Sequence, residues 1–159
     1  MQQTFKPTPT EYRGVRFRSK SEAIFAALLD TAGFEDWLYE PHFLEVSGYT
    51  PDFCVPLVSD HNDLALVIIE YKPAATTATY RNLLTEHCIE MRRKVGLECD
   101  YFIVNGSMFE GLPDVLYLED GKWFQIGSLQ EAPLFGVRHW FGADALNVAR
   151  SKRFDLEMK

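Results

Sequence analysis

Apolar residues recur at helical spacing in SKSEAIFAALLDTAG (residues 19–33), where Ile24, Phe25, Leu28 and Leu29 fall on one stripe. Ser19 suits an N-cap and Gly33 a stop, so the pattern predicts a helix with one packed face. FLEVSGYTPDFCV then predicts two short strands on either side of Gly48. LALVIIEYK carries an unbroken apolar run from Leu64 to Ile69, as in a strand covered on both faces. TYRNLLTEHCIEMRRKVG predicts a second helix closed by Gly96, and DYFIVNG a strand ending at Asn105-Gly106. VLYLEDGKWFQI predicts a hairpin turning at Asp120-Gly121, and WFGADALNVARSKRF a closing helix. Ahead of Tyr12 the chain is polar and carries Pro7 and Pro9, which predicts a flexible arm over residues 1–11 before a single domain over 12–159.

Strand 64–71, helix 80–95 and strand 100–105 form a βαβ unit, so those two strands are expected to be parallel with a right-handed crossover. The earlier strands, joined by short turns, are expected to be antiparallel. The predicted class is α/β, a mixed β-sheet flanked by helices, in the order helix, three strands, helix, strand, hairpin, helix.

The 159 residues are 47% hydrophobic, enough for one sizeable core. No apolar run reaches the roughly 20 residues of a membrane-spanning helix, and MQQTFKPTPTEYRG lacks the apolar stretch of a secretory signal. A cytoplasmic protein without a membrane partner is expected. Cys54, Cys88 and Cys99 form no CxxC pair and read as small buried hydrophobes. His87-Cys88 with Cys99 does not complete a four-ligand zinc site, and the acidic loop around His61 reads as a solvated turn. No phosphate-cradling glycine loop or nucleophile elbow occurs.

A net charge of −7 counts against a nucleic-acid partner until its distribution is considered. Lys6, Arg13, Arg16, Arg18 and Lys20 face Glu11 alone in the first twenty residues, a net of +4 that leaves −11 on the rest. Arg13, Arg16, Arg18 and Lys20 alternate with Val15, Phe17 and Ser19, which predicts one basic face on an extended segment suited to the DNA backbone. A merely solvated arm is the alternative. Arg92, Arg93 and Lys94 suit the dipole at a helix end, while Arg150, Lys152 and Arg153 fit either role.

The chemistry concentrates in acids. Glu70 and Lys72, two apart on a strand, share a face while Tyr71 points away. If strand 50–55 pairs with strand 64–71, Asp52 falls beside Glu70, and two such carboxylates repel unless a cation intervenes. A hard divalent ion such as Mg²⁺, with Mn²⁺ as substitute, takes a few carboxylate oxygens and keeps several waters. Those waters, with a phosphate oxygen on the same ion, are what metal-assisted phosphodiester hydrolysis uses. Lys72 suits stabilising developing charge and orienting the attacking water rather than acting as a neutral base; pairing with Glu70 or ending the strand at Pro73 are plainer roles. Glu22 is either a further acid near the metal or the last member of a capping box, Ser19-Lys20-Ser21-Glu22. Glu40, before Pro41, either touches the site or is solvated.

Pro51-Asp52, then 17 residues, then Glu70-Tyr71-Lys72, behind a helix carrying Glu22, resembles the PD-(D/E)XK nuclease superfamily. YRGVRFRSKSEAIFAALLD, Tyr39-Glu40-Pro41 and ARSKRF (149–154) look like small phage or mobile-element nucleases with an FRS-x-x-E opening helix, so the resemblance covers residues 12–154 in segments. It implies a restriction-endonuclease-like αβββαβ core, Asp52 and Glu70 as metal ligands, Lys72 as the catalytic lysine and Glu22 as a further acid at the metal. The Gln-x-x-x-Tyr element of a processive exonuclease branch is missing. The expected function is a Mg²⁺-dependent DNA nuclease directed by DNA structure or by a partner, since no dedicated sequence-reading helix or zinc module is visible. Two other readings stay open. One is a catalytically silent binding module, a phage accessory or anti-defence protein on DNA or a host protein, which the acidic body suits. The other is a nuclease subunit active only within a larger nucleoprotein complex. A homodimer also fits, because one site cuts one strand.

Overall fold

The structure is a computed structural model that describes residues 8–58, 62–109, 113–129, 145–152 and 154–156. A hairpin of β1 (Thr10–Tyr12) and β2 (Val15–Phe17) leads into α1 (Lys20–Thr31) and the short β3 (Leu38–Tyr39). β4 (Phe53–Val58) and β5 (Leu64–Lys72) precede α2 (Ala78–Val95), then β6 (Glu98–Asn105), β7 (Asp114–Glu119) and β8 (Lys122–Ser128). α3 (Ala145–Ser151) and β9 (Asp155–Leu156) close the described chain. The result is mixed α/β: a six-stranded sheet ordered β3-β4-β5-β6-β7-β8 with helices against it, and a small sheet β2-β1-β9. β4 and β5 are antiparallel, β5 and β6 parallel, as a short turn and a helical crossover respectively require.

β5 is the hinge of the packing. Val67, Ile69 and Tyr71 join a core under α1, whereas Leu66 and Ile68 join a second core under α2. The alternation explains why this strand reads as an unbroken apolar run. In α1 every residue from Glu22 to Leu29 is buried, more than one stripe, because the helix also meets α3 and β1. α2 is one-sided: Leu84, Cys88 and Met91 face the core at helical spacing, and Gly96 at φ 65° ends the helix. Phe25 meets Phe53 edge-on at 5.0 Å and stacks on Tyr71 at 6.0 Å, fixing both strands to α1 next to the acids. All three cysteines are buried and free.

Three expectations are corrected. FLEV is no strand. Pro41 opens a 3₁₀ turn at His42–Leu44, and the rest folds into a tight bridge between Val46 and Tyr49, so the third strand ahead of α2 is β3 instead. Thr10 and Glu11 belong to β1 rather than to a flexible arm, because Arg13 (φ 50°) and Gly14 (φ 74°) make a tight hairpin turn; residues 1–7 of the arm lie outside the described residues. The closing helix stops at Ser151, and Phe154 beyond it packs on Tyr12 at 5.3 Å. Positions 140–144 and 153 of that predicted helix, with His61 and His139, lie outside the described residues. No helix among the described residues is long and apolar enough to cross a membrane.

Candidate active site

Phe53 pairs with Ile69, so Asp52 stands one step further, opposite Glu70, where the β4–β5 ladder ends. Side chains take over from the backbone there. The Asp52 amide donates to Glu70 Oε1 at 3.1 Å, and the Tyr71 amide donates to Asp52 Oδ2 at 2.9 Å. Both acids are buried, at 4% and 3% exposure. The expected juxtaposition is present, at the carboxyl end of β5, the end at which open α/β sheets gather ligands.

Glu70 is held from several sides. The Tyr49 hydroxyl donates to Oε1, and the Tyr80 hydroxyl to Oε2 at 3.1 Å. Lys72 Nζ lies 3.6 Å from Oε2 and 5.3 Å from the centre of the Tyr80 ring. Tyr49 arrives on the Val46–Tyr49 turn and stacks on His87 at 4.6 Å, whereas Tyr80 sits in the first turn of α2, capped by Thr77. Tyr71 points the other way, its hydroxyl donating to the Gly106 carbonyl at 2.8 Å. The strand parity predicted for residues 70–72 therefore holds.

Burial, then the charges of Glu70 and Glu22, push the Asp52 carboxyl well above its ordinary range, against the Tyr71 amide and Lys72. Burial raises Glu70 as well, opposed by Tyr49, Lys72, Tyr80 and the Asp52 amide. Burial and the Glu70 charge keep the Tyr49 and Tyr80 hydroxyls protonated, so both remain donors. Charge on this buried pair is thus disfavoured, and the protein's own groups only partly offset that cost.

Glu22 enters from the first turn of α1. Its amide bonds Ser19 Oγ at 3.2 Å, the helix-capping half of the sequence pattern, while its carboxylate accepts from Ser19 Oγ at 3.2 Å and from the Tyr39 hydroxyl at 3.0 Å. Arg18 lies between the acids. Its Nη2 is 2.9 Å from Asp52 Oδ1 and 3.8 Å from Glu22 Oε2, and its Nε is 2.8 Å from Glu40 Oε1. Glu40 adopts φ 46° and donates its amide to the Asp52 carbonyl at 2.8 Å, so this acid does reach the site.

The four basic residues expected on one face are dispersed. Arg13 is on the hairpin turn and pairs with Asp30 at 2.5 Å. Arg16 is in β2, Lys20 opens α1, and Arg18 is engaged by the acids. The tight turn at Arg13-Gly14 breaks the extended run that the alternation assumed. Sequence reasoning also missed Tyr49 and Tyr80. A signal for them exists in hindsight: a buried glutamate needs donors, and both tyrosines flank the motif within ten residues of Asp52 or Lys72.

Among the described residues no three of His, Cys, Asp and Glu converge as a ready-made metal cage. Two buried carboxylates with raised pKa values nonetheless fit a hard divalent ion, which commonly takes one or two carboxylates and keeps its waters. Asp52 has lone pairs left beyond its bonds to Arg18 and Tyr71. Comparisons of the chain with protein-family models, curated proteins and solved structures find no match. The fold and site thus define a mixed α/β protein with a buried acid pair, flanked by a lysine and an arginine, at the carboxyl end of a central strand.

Proposed function

We propose that the protein is a divalent-metal-dependent nuclease that hydrolyses phosphodiester bonds in DNA, of PD-(D/E)XK type with a restriction-endonuclease-like core. The observation that carries this reading is the bracing of Asp52 against Glu70, with Lys72 3.6 Å from Glu70 on the same face. The order α1, β3–β5, α2, β6 supports it.

Asp52 and Glu70 would hold the metal, with Glu22, which shares the Arg18 guanidinium with Asp52, as a further acid nearby. When bound, Mg²⁺ or Mn²⁺ supplies charge neutralisation, polarisation of the phosphate and a water made more acidic. Tyr49 and Tyr80 hold the Glu70 carboxylate in one orientation, as partners behind a metal ligand do. Lys72, only 36% exposed and aimed by Glu70 and Tyr80, supplies fixed positive charge to the oxygens of the phosphoryl transition state. Phosphate contacts of this kind position DNA without reading its sequence, in keeping with cutting directed by structure or by a partner.

Plasmid nicking tests the reading. Wild type nicks with Mg²⁺ or Mn²⁺, and Asp52→Asn, Glu70→Gln and Lys72→Met each lose the activity by at least about a hundredfold. A second reading, a catalytically silent binding module, is favoured by one observation: Arg18 already occupies the acids. Under it, wild type binds DNA or a protein partner and nicks nothing.

A further inference from the structure

Arg18 stands at the place to which the acids would draw a cation. Its guanidinium reaches three carboxylates, those of Asp52, Glu22 and Glu40, at 2.9, 3.8 and 2.8 Å. Lys72 is not in that position, since its contact is to Glu70 Oε2. The backbone beside Arg18 is fixed: Phe17 is fully buried, Ser19 caps α1, and the Arg18 amide donates to the Tyr39 hydroxyl at 3.2 Å. The side chain itself is 65% exposed, so it can swing away from Asp52 without uncovering core. Glu40 offers it a second carboxylate, 34% exposed and outside the Asp52–Glu70 pair.

We propose that Arg18 is a built-in counter-ion that competes with the divalent cation for Asp52, so that metal binding requires its guanidinium to move off that carboxylate. The proposal rests on the nuclease reading of the acid pair and adds the device that regulates loading. An arginine does not give up its proton at any working pH, so it cannot make way for a cation by neutralising itself. It must move. In the metal-free protein the guanidinium offsets Asp52 and Glu22; on loading it leaves Asp52, and Glu40 keeps it near the site. Removing the competitor therefore strengthens metal binding, opposite to the effect of removing a supporting residue.

The test is calorimetric titration of Mn²⁺, without DNA, into metal-stripped wild type, Arg18→Gln, Arg18→Ala and Asp52→Asn, at fixed pH and salt. Both Arg18 variants are expected to bind Mn²⁺ up to about fivefold more tightly than wild type, the range for loss of a largely solvated ion pair. Their thermal midpoints should rise further on adding Mn²⁺ than that of wild type. Arg18→Gln keeps much of the side chain and serves if Arg18→Ala fails to fold. Tighter binding by Arg18→Gln that is abolished when Asp52→Asn is added supports the proposal in its strongest form. Unchanged or weaker binding in the Arg18 variants, with wild type binding through Asp52, overturns it and leaves the nuclease reading intact. Absence of Mn²⁺ binding in every variant overturns the nuclease reading itself, and the proposal with it.

Discussion

Replacing Asp52 by asparagine removes one negative charge from a buried spot and preserves the shape of the side chain. In the metal-free protein that charge is unfavourable, chiefly through burial and then through Glu70 and Glu22. Two contacts oppose the gain, the Tyr71 amide on Oδ2 and Arg18 on Oδ1, both at 2.9 Å. The asparagine oxygen keeps the first. Losing the second costs about 0.2–1 kcal/mol, because Arg18 is largely solvated. Each unit by which a buried carboxyl sits above its ordinary pKa costs about 1.4 kcal/mol once it is ionised. The balance is a net stabilisation, seen as a higher Tm than that of wild type. A carboxyl whose pKa is raised on folding contributes stability below its ordinary range, and that contribution is lost as the pH climbs through the folded-state value. The advantage of Asp52→Asn should therefore grow between about pH 5 and about pH 8 and fade on acidification. Thermal unfolding of both proteins in chelator at those two pH values reads it directly. A variant less stable than wild type by more than about 1 kcal/mol at the higher pH, or a gap without pH dependence, would refute the reasoning.

Other consequences follow from the same geometry. Tyr49→Phe keeps the stack on His87 but deletes a donor to Glu70, and should cost about 1–2 kcal/mol in urea unfolding; a loss below about 0.5 kcal/mol contradicts it. Lys72→Met should lower nicking by about 10²–10³-fold while leaving Mn²⁺ binding within about threefold, and a parallel collapse of metal binding would make Lys72 part of the scaffold. Gly106, at φ 146°, donates its amide to the Lys72 carbonyl and accepts from the Tyr71 hydroxyl, and a Cβ there meets Pro113 Cα at 3.0 Å. Gly106→Ala should therefore destabilise the fold by about 2 kcal/mol or more in thermal unfolding, and wild-type stability in the variant would contradict the close approach.

Legibility followed the strength of the local signal. β5 and α2 were readable because an apolar run and a one-sided helix leave long periodic traces, and the parallel pairing follows from the crossover length. The Asp52–Glu70 contact was readable because strand register converts spacing into proximity. What escaped was short or non-local. β3 is two residues long and exists only through its pairing with β4. The Arg13-Gly14 turn lacks the Asn-Gly or Asp-Gly pair that marks such turns, so the sequence suggests one extended basic face that the hairpin breaks. Charge alone makes Arg18 look like a phosphate contact, but its partners Glu40 and Asp52 lie 22 and 34 residues away in sequence. Tyr49 and Tyr80 approach Glu70 from separate elements, and only the packed fold brings their hydroxyls together.

The most direct test of the central claim is calorimetric titration of Mg²⁺ and Mn²⁺ into wild type and Asp52→Asn, with plasmid nicking measured on the same samples. The acid pair predicts metal binding and nicking in wild type and the loss of both in the variant. A wild type that binds neither ion, or nicking that survives Asp52→Asn undiminished, would contradict the assignment of Asp52 and Glu70 as the metal-binding centre of a nuclease.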